Sequence, residues 1–142
     1  MAVIDDETAA QLKEEWSRLV NPVRLVVFSQ ALADPESEEV RRLVEELAVL
    51  DPRLTAESCN FVLDKEKAES LGITRIPAIA ILGADKDYGI RFYGLPTGYE
   101  FGALVDAILD VSSGDSGLAP ETREALREIA RAVHIQVFST PT

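Results

Sequence analysis

The chain has 142 residues, 46% of them hydrophobic, which suffices for one domain with a proper core and falls short of two full-sized ones. A formal net charge of −11 argues against nucleic acid and against anionic membrane surfaces, since counterion release needs clustered Lys and Arg and here these alternate with Glu. One cysteine, Cys59, and one histidine, His134, exclude an internal disulfide, dithiol chemistry within one copy, a multi-cysteine metal site and the usual zinc constellations.

The opening stretch MAVIDDETAAQLKEEW is acidic where a secretory signal would be basic and then apolar. No apolar run reaches the roughly 18 to 20 residues that span a bilayer. The expectation is a soluble, cytoplasmic protein.

Residues 6–20 place Leu12, Trp16, Leu19 and Val20 on one face at spacings of three and four, which predicts an amphipathic helix with Trp16 in the core. Asn21 and Pro22 break it. VRLVVFS (23–29) is nearly all apolar, as in a strand covered on both faces. Asp34 suits an N-cap and Pro35 the first helical position, and Val40, Leu43, Val44, Leu47 and Leu50 follow at helical period. A second helix therefore begins near residue 35, and Asp51 and Pro52 end it.

ESCNFVLD (57–64) reads as a strand, parallel to the first because a helix joins them. KEKAESLG (65–72) reads as a short helix capped by Asp64 and stopped by Gly72. IPAIAIL (76–82) is a buried strand opening on proline, and GADKD turns the chain into YGIRFYG (88–94), its hairpin partner. Thr97 and Glu100 form T-x-x-E before an apolar run, the pattern of a capping box, and the helix that follows turns Phe101, Leu104, Val105, Ile108 and Leu109 inward.

SSGDSGLA (112–119) has the composition of a linker. Pro120 starts another helix, which feeds a terminal strand within HIQVFSTPT. VRLVVFS (23–29) and VHIQVFS (133–139) agree at their first, fifth, sixth and seventh positions, and each follows an acidic amphipathic helix. The expected organisation is a domain over 1–111, a linker over 112–119, and at 120–142 the helix and strand that begin an incomplete second copy.

These residues carry a family resemblance. The element order, the proline-opened strand after GITRIPA, the tandem second copy and the stretch RFYGLPTGYEF resemble the two-unit protein disulfide oxidoreductases, often called glutaredoxin-like proteins. The same stretch resembles the N-terminal domain of the alkyl hydroperoxide reductase flavoprotein subunit. The fold so implied is α/β and thioredoxin-like, a central mixed sheet flanked by helices.

In the active pattern, a helix N-terminus lowers the pKa of one thiol and a second cysteine one turn on resolves the mixed disulfide. By the resemblance, that C-x-x-C falls on DPES, so Asp34 and Ser37 occupy the cysteine positions. Neither can attack a disulfide, and DPES is also fully explained by helix capping. The resemblance further implies a cis Ile76–Pro77 bond, with the Ile76 backbone and Pro77 as candidates for peptide binding. It also places Glu100 in a cleft between units, a role compatible with capping.

Cys59 reads as a small buried hydrophobe, with a monothiol site or intermolecular disulfide as the alternative; His134 reads as exposed or at an edge. No cofactor and no metal are expected. The leading expectation is a unit without redox activity of its own, a scaffold or docking partner for a second thioredoxin-like unit or a redox partner protein. A reductase acting through Cys59, and an interaction module forming a homodimer through the terminal strand, are the rivals.

Overall fold

The computed structural model describes residues 2–30, 32 and 34–140. In chain order the elements are α1 (Asp6–Trp16), β1 (Val23–Ser29), α2 (Pro35–Val49), β2 (Leu54–Asn60), α3 (Lys65–Ser70), β3 (Ala78–Gly83), β4 (Ile90–Tyr93), α4 (Tyr99–Ser113) and α5 (Pro120–Arg127).

The sheet order is β2-β1-β3-β4. β1 runs parallel to β2, with Val23 opposite Leu54, and antiparallel to β3, with Leu25 opposite Ile81. β3 and β4 are antiparallel, with Ile79 opposite Phe92. The apolar runs at 23–29 and 78–83 are central because both sheet faces are covered. Val23, Leu25, Val27, Ile79 and Ile81 join the side chains of α1, α2 and α4 on one face. Val26, Phe28, Ala78, Ala80 and Leu82 meet Ala68 of α3 and Ile73 on the other. Full burial of side chains such as Leu25 and Phe28 contributes about 1.5–3 kcal/mol each. Trp16 lies fully inside the larger cluster.

Several boundaries differ from the sequence reading, each for a local reason. The first helix ends at Trp16, and tighter backbone bonds to the carbonyls of Glu14, Glu15 and Trp16 close the chain over residues 17–19, which keeps Leu19 buried but leaves Val20 exposed. The second strand is 54–60 rather than 57–64. Asn60 Oδ1 accepts the backbone N–H groups of Val62 and Leu63, and Asp64 accepts that of Asn60, so this polar knot turns the chain out of the sheet. With its carboxylate engaged there, Asp64 does not cap α3. Gly72 does follow α3 in the left-handed conformation.

The end of α4 also moves. Ser112 and Ser113 belong to α4, which ends at left-handed Gly114. Ser112 is fully buried; its hydroxyl accepts from the N–H groups of Val20 and Asn21 and donates to the Asn21 carbonyl at 2.8 Å. That triad closes the end of α4 onto the turn before β1.

α5 buries none of its residues. It is tied to the 114–119 segment through Arg123, which donates to the Leu118 carbonyl and pairs with Asp115. The segment expected as a terminal strand, 133–139, forms no ladder within this chain and lies exposed, Phe138 by 89%. A strand is held by its neighbours, and neither edge strand, β2 or β4, receives this segment. His134 is exposed.

Candidate functional site

The topology gathers four connections at one end of the sheet: those leaving β1, β2 and β4 and the one entering β3. α2 starts there. Asp34 is its N-cap, with one carboxylate oxygen accepting the Glu36 N–H at 3.1 Å and the other accepting the Ser37 hydroxyl at 2.7 Å. Ser37 is only 1% exposed, so its hydroxyl is spent on the cap.

Glu36 extends this point to a second segment. Its carboxylate accepts the Leu95 N–H at 3.3 Å, fastening the β4–α4 loop to α2. One residue earlier, Gly94 donates its N–H to the Pro77 carbonyl at 2.9 Å. The Ile76–Pro77 peptide is cis. Pro77 is buried, Ile76 packs partly buried against the α3-side core, and the Arg75 guanidinium lies 4.7 Å over the Tyr93 ring. The positions singled out at Asp34–Ser37 and at Ile76–Pro77 are thus joined through Glu36, Leu95 and Gly94. Glu36 spans 59 residues in this contact, for which no local sequence signal exists.

Glu100 stands apart from that linkage. It is exposed in the first turn of α4, whose N-cap is Gly98 at φ 59°, and no side chain caps the helix. The capping box expected from Thr97 and Glu100 is absent. The backbone closes this end itself, the Glu100 N–H reaching the Thr97 carbonyl at 3.2 Å. A glycine in the left-handed region sets an entry angle at which the T-x-x-E geometry is not formed.

Cys59 is 6% exposed in the core cluster on the α3 face, whereas α2 packs into the cluster on the opposite face. Burial pushes its thiol above the usual range, against the pull of nearby Lys67. It therefore sits as a protonated, apolar side chain without a helix N-terminus to activate it. Its neighbour Glu57 is held below the usual carboxylate range, chiefly by the hydrogen bond from Lys67. Among the described residues there is no group of three or more His, Cys, Asp or Glu side chains placed to hold a metal ion. Among them, too, no helix is long and apolar enough to cross a membrane.

No protein-family model matches the chain. A curated NADH dehydrogenase of Bacillus subtilis (strain 168) is 28% identical over 140 residues, covering 99% of this chain and 25% of that protein. The NTD_N/C domain of the alkylhydroperoxide reductase AhpF from Enterococcus faecalis superposes with a TM-score of 0.77 at 29% identity, over 85% of this chain and 58% of that one. A protein disulfide oxidoreductase from Aeropyrum pernix K1 gives the same TM-score and identity over 89% of this chain and 56% of its own. The chain thus spans a quarter of the curated relative's length and a little over half of each solved chain. It has the thioredoxin-like fold, and it is similar to the N-terminal domain of the alkyl hydroperoxide reductase flavoprotein subunit and to the two-unit protein disulfide oxidoreductases.

Proposed function

We propose that this chain is a redox-inactive thioredoxin-like unit of a protein disulfide oxidoreductase or glutaredoxin-like protein, acting as scaffold or docking partner for a C-x-x-C unit that this sequence does not contain. The observation that carries the reading is the start of α2. The position at which a helix dipole activates a thiol holds a carboxylate and a hydroxyl hydrogen-bonded to one another at 2.7 Å. The sole thiol is buried on the other face of the sheet. The cytoplasm is the compartment that goes with this role, because dithiol partners are kept reduced there.

An insulin-reduction assay with dithiothreitol as electron source tests it. The expected result is turbidity no faster than dithiothreitol alone. Turnover above that background, abolished by Cys59→Ser, would sink the reading and install Cys59 as a monothiol site.

A second reading, an interaction module that dimerises through its terminal segment, is favoured by one observation. Val133, Ile135, Val137 and Phe138 are all exposed along a single stretch. Sedimentation equilibrium decides it: a dimer converted to monomer by Ile135→Asp and Phe138→Asp supports this reading, and a monomeric parent chain refutes it.

A further inference from the structure

A cleft of about 420 Å³ opens between the N-terminal arm, α2 and the β4–α4 loop. Its walls are mostly apolar, formed by Val3, Ile4, Leu43, Leu95 and Phe101 among others. The two charged residues that line it, Asp5 and Glu39, are both acidic. This is the size and make-up of a binding site in which an apolar body is held by a few fixed polar groups.

The arm that forms one wall is pinned. The Glu46 carboxylate accepts the N–H of Val3 at 2.8 and 3.0 Å and that of Ile4 at 2.7 Å. Asp5 is committed to capping α1, taking the Thr8 N–H at 2.7 Å.

Glu39 differs from its neighbours on α2. Glu36 is bonded to Leu95, Glu38 and Glu45 both pair with Arg41, and Glu46 holds the arm. Glu39 is exposed and, among the described residues, has no hydrogen bond or ion pair. A carboxylate beside an apolar cleft, with no cation bonded to it among the described residues, is complementary to a positive charge carried on an apolar stem.

From this we infer that the cleft receives a lysine or arginine side chain, flanked by apolar residues, from a partner polypeptide. The stem lies against Leu43, Leu95 and Phe101, and the cationic head meets Glu39. Tyr99, next in sequence to cleft residue Gly98 and 80% exposed, offers a polypeptide a further aromatic contact that a free amine would not use. That the partner is a protein rests on the docking role proposed above; the chemistry of the cleft does not.

The test is a titration of the ¹⁵N-labelled full chain, at physiological salt to screen diffuse attraction to its acidic surface, with acetylated and amidated tripeptides. Leu-Lys-Leu is compared with the same peptide carrying norleucine or glutamate at its centre. The lysine peptide is expected to shift the amides of Thr8, Leu43, Thr97 and Phe101 saturably, with at least about fivefold weaker binding of the other two and about tenfold weaker binding to Glu39→Lys. Glu14→Lys, a charge change elsewhere on the surface, leaves the affinity unchanged. Shifts spread over the whole surface, equal binding of the norleucine peptide, or an unaffected Glu39→Lys variant with a native amide spectrum would each overturn the inference. No thiol enters the readout, so its failure leaves the redox-inactive reading standing, and insulin turnover in the other assay leaves this one standing.

Discussion

Asp34 and Ser37, three residues apart at the start of α2, are closed on each other: the serine hydroxyl donates to the Asp34 carboxylate at 2.7 Å while the other carboxylate oxygen takes the Glu36 N–H. The spacing that lets two cysteines form a disulfide is the spacing that lets an acid and an alcohol form a helix cap. The proposed reading thus puts a structural device where the active pattern would hold its thiols.

The backbone of this site should accept the dithiol. In the Asp34→Cys/Ser37→Cys double variant, a partly exposed thiol stands at the helix N-terminus with a buried one a turn further on. We expect it to form an intramolecular disulfide and to show insulin-reductase activity above that of the parent chain. Failure to form the disulfide under oxidising conditions, read by free-thiol titration, would show that the loop geometry departs from the active pattern.

Asp34→Ala removes the cap and is expected to cost about 1 kcal/mol in urea unfolding, within the range of about 0.5–2 kcal/mol measured for such caps. Ser37→Ala is expected to cost less, because the carboxylate keeps its bond to the Glu36 N–H. Equal losses would mean that the hydroxyl, rather than the helix amide, fixes the carboxylate.

Ser112→Ala leaves the N–H of Val20 and the carbonyl of Asn21 without their buried partner. The expected destabilisation is about 0.5–1.5 kcal/mol, the net worth of an intramolecular hydrogen bond. An unchanged denaturation midpoint would show that water reaches this turn.

Cys59 should be slow to alkylate. Its folded pKa lies above the ordinary value of 9.0, chiefly because burial disfavours the thiolate. The neutral form is thus favoured in the folded protein, and the associated stability is fully present below the unfolded pKa and lost as pH rises through the folded one. Iodoacetamide labelling at pH 8 is expected to be far slower in the native protein than in urea, with the native rate still climbing above pH 9. Equal rates at pH 8 would mean an exposed or activated thiol.

Arg53 joins two parts of the fold: it pairs with Asp51 and donates to the carbonyls of Trp16 and Leu19, tying the end of α1 to the turn before β2. Its hydrogen bond holds Asp51 below the ordinary 3.8. A depressed carboxyl stabilises above its unfolded pKa, and that stability is lost as pH falls through the folded value. The Tm gap between the parent and Arg53→Met is therefore expected to be wide at pH 7 and to narrow below about pH 4. The part owed to the two carbonyl bonds should persist. A gap independent of pH would remove the ion pair from the account.

The sequence by itself determined the core. Apolar runs at 23–29 and 76–82 had to lie inside a sheet, and the period of Val40, Leu43, Val44 and Leu47 fixed which side of α2 faces it, because burial of apolar side chains depends on pattern and little on partners far along the chain. It also marked Asp34 as a cap, since capping is local. Tertiary structure decided what depends on distant groups. T-x-x-E at 97–100 had the pattern of a cap, yet the entry of Gly98 into α4 set a geometry that does not use it. Glu36 stands in the first turn of α2, where any acid suits the helix dipole, and only the fold makes it the fastening of the β4–α4 loop. VHIQVFS has the strand propensity of VRLVVFS and forms no strand in this chain, because propensity supplies one half of a ladder and only a neighbouring backbone supplies the other.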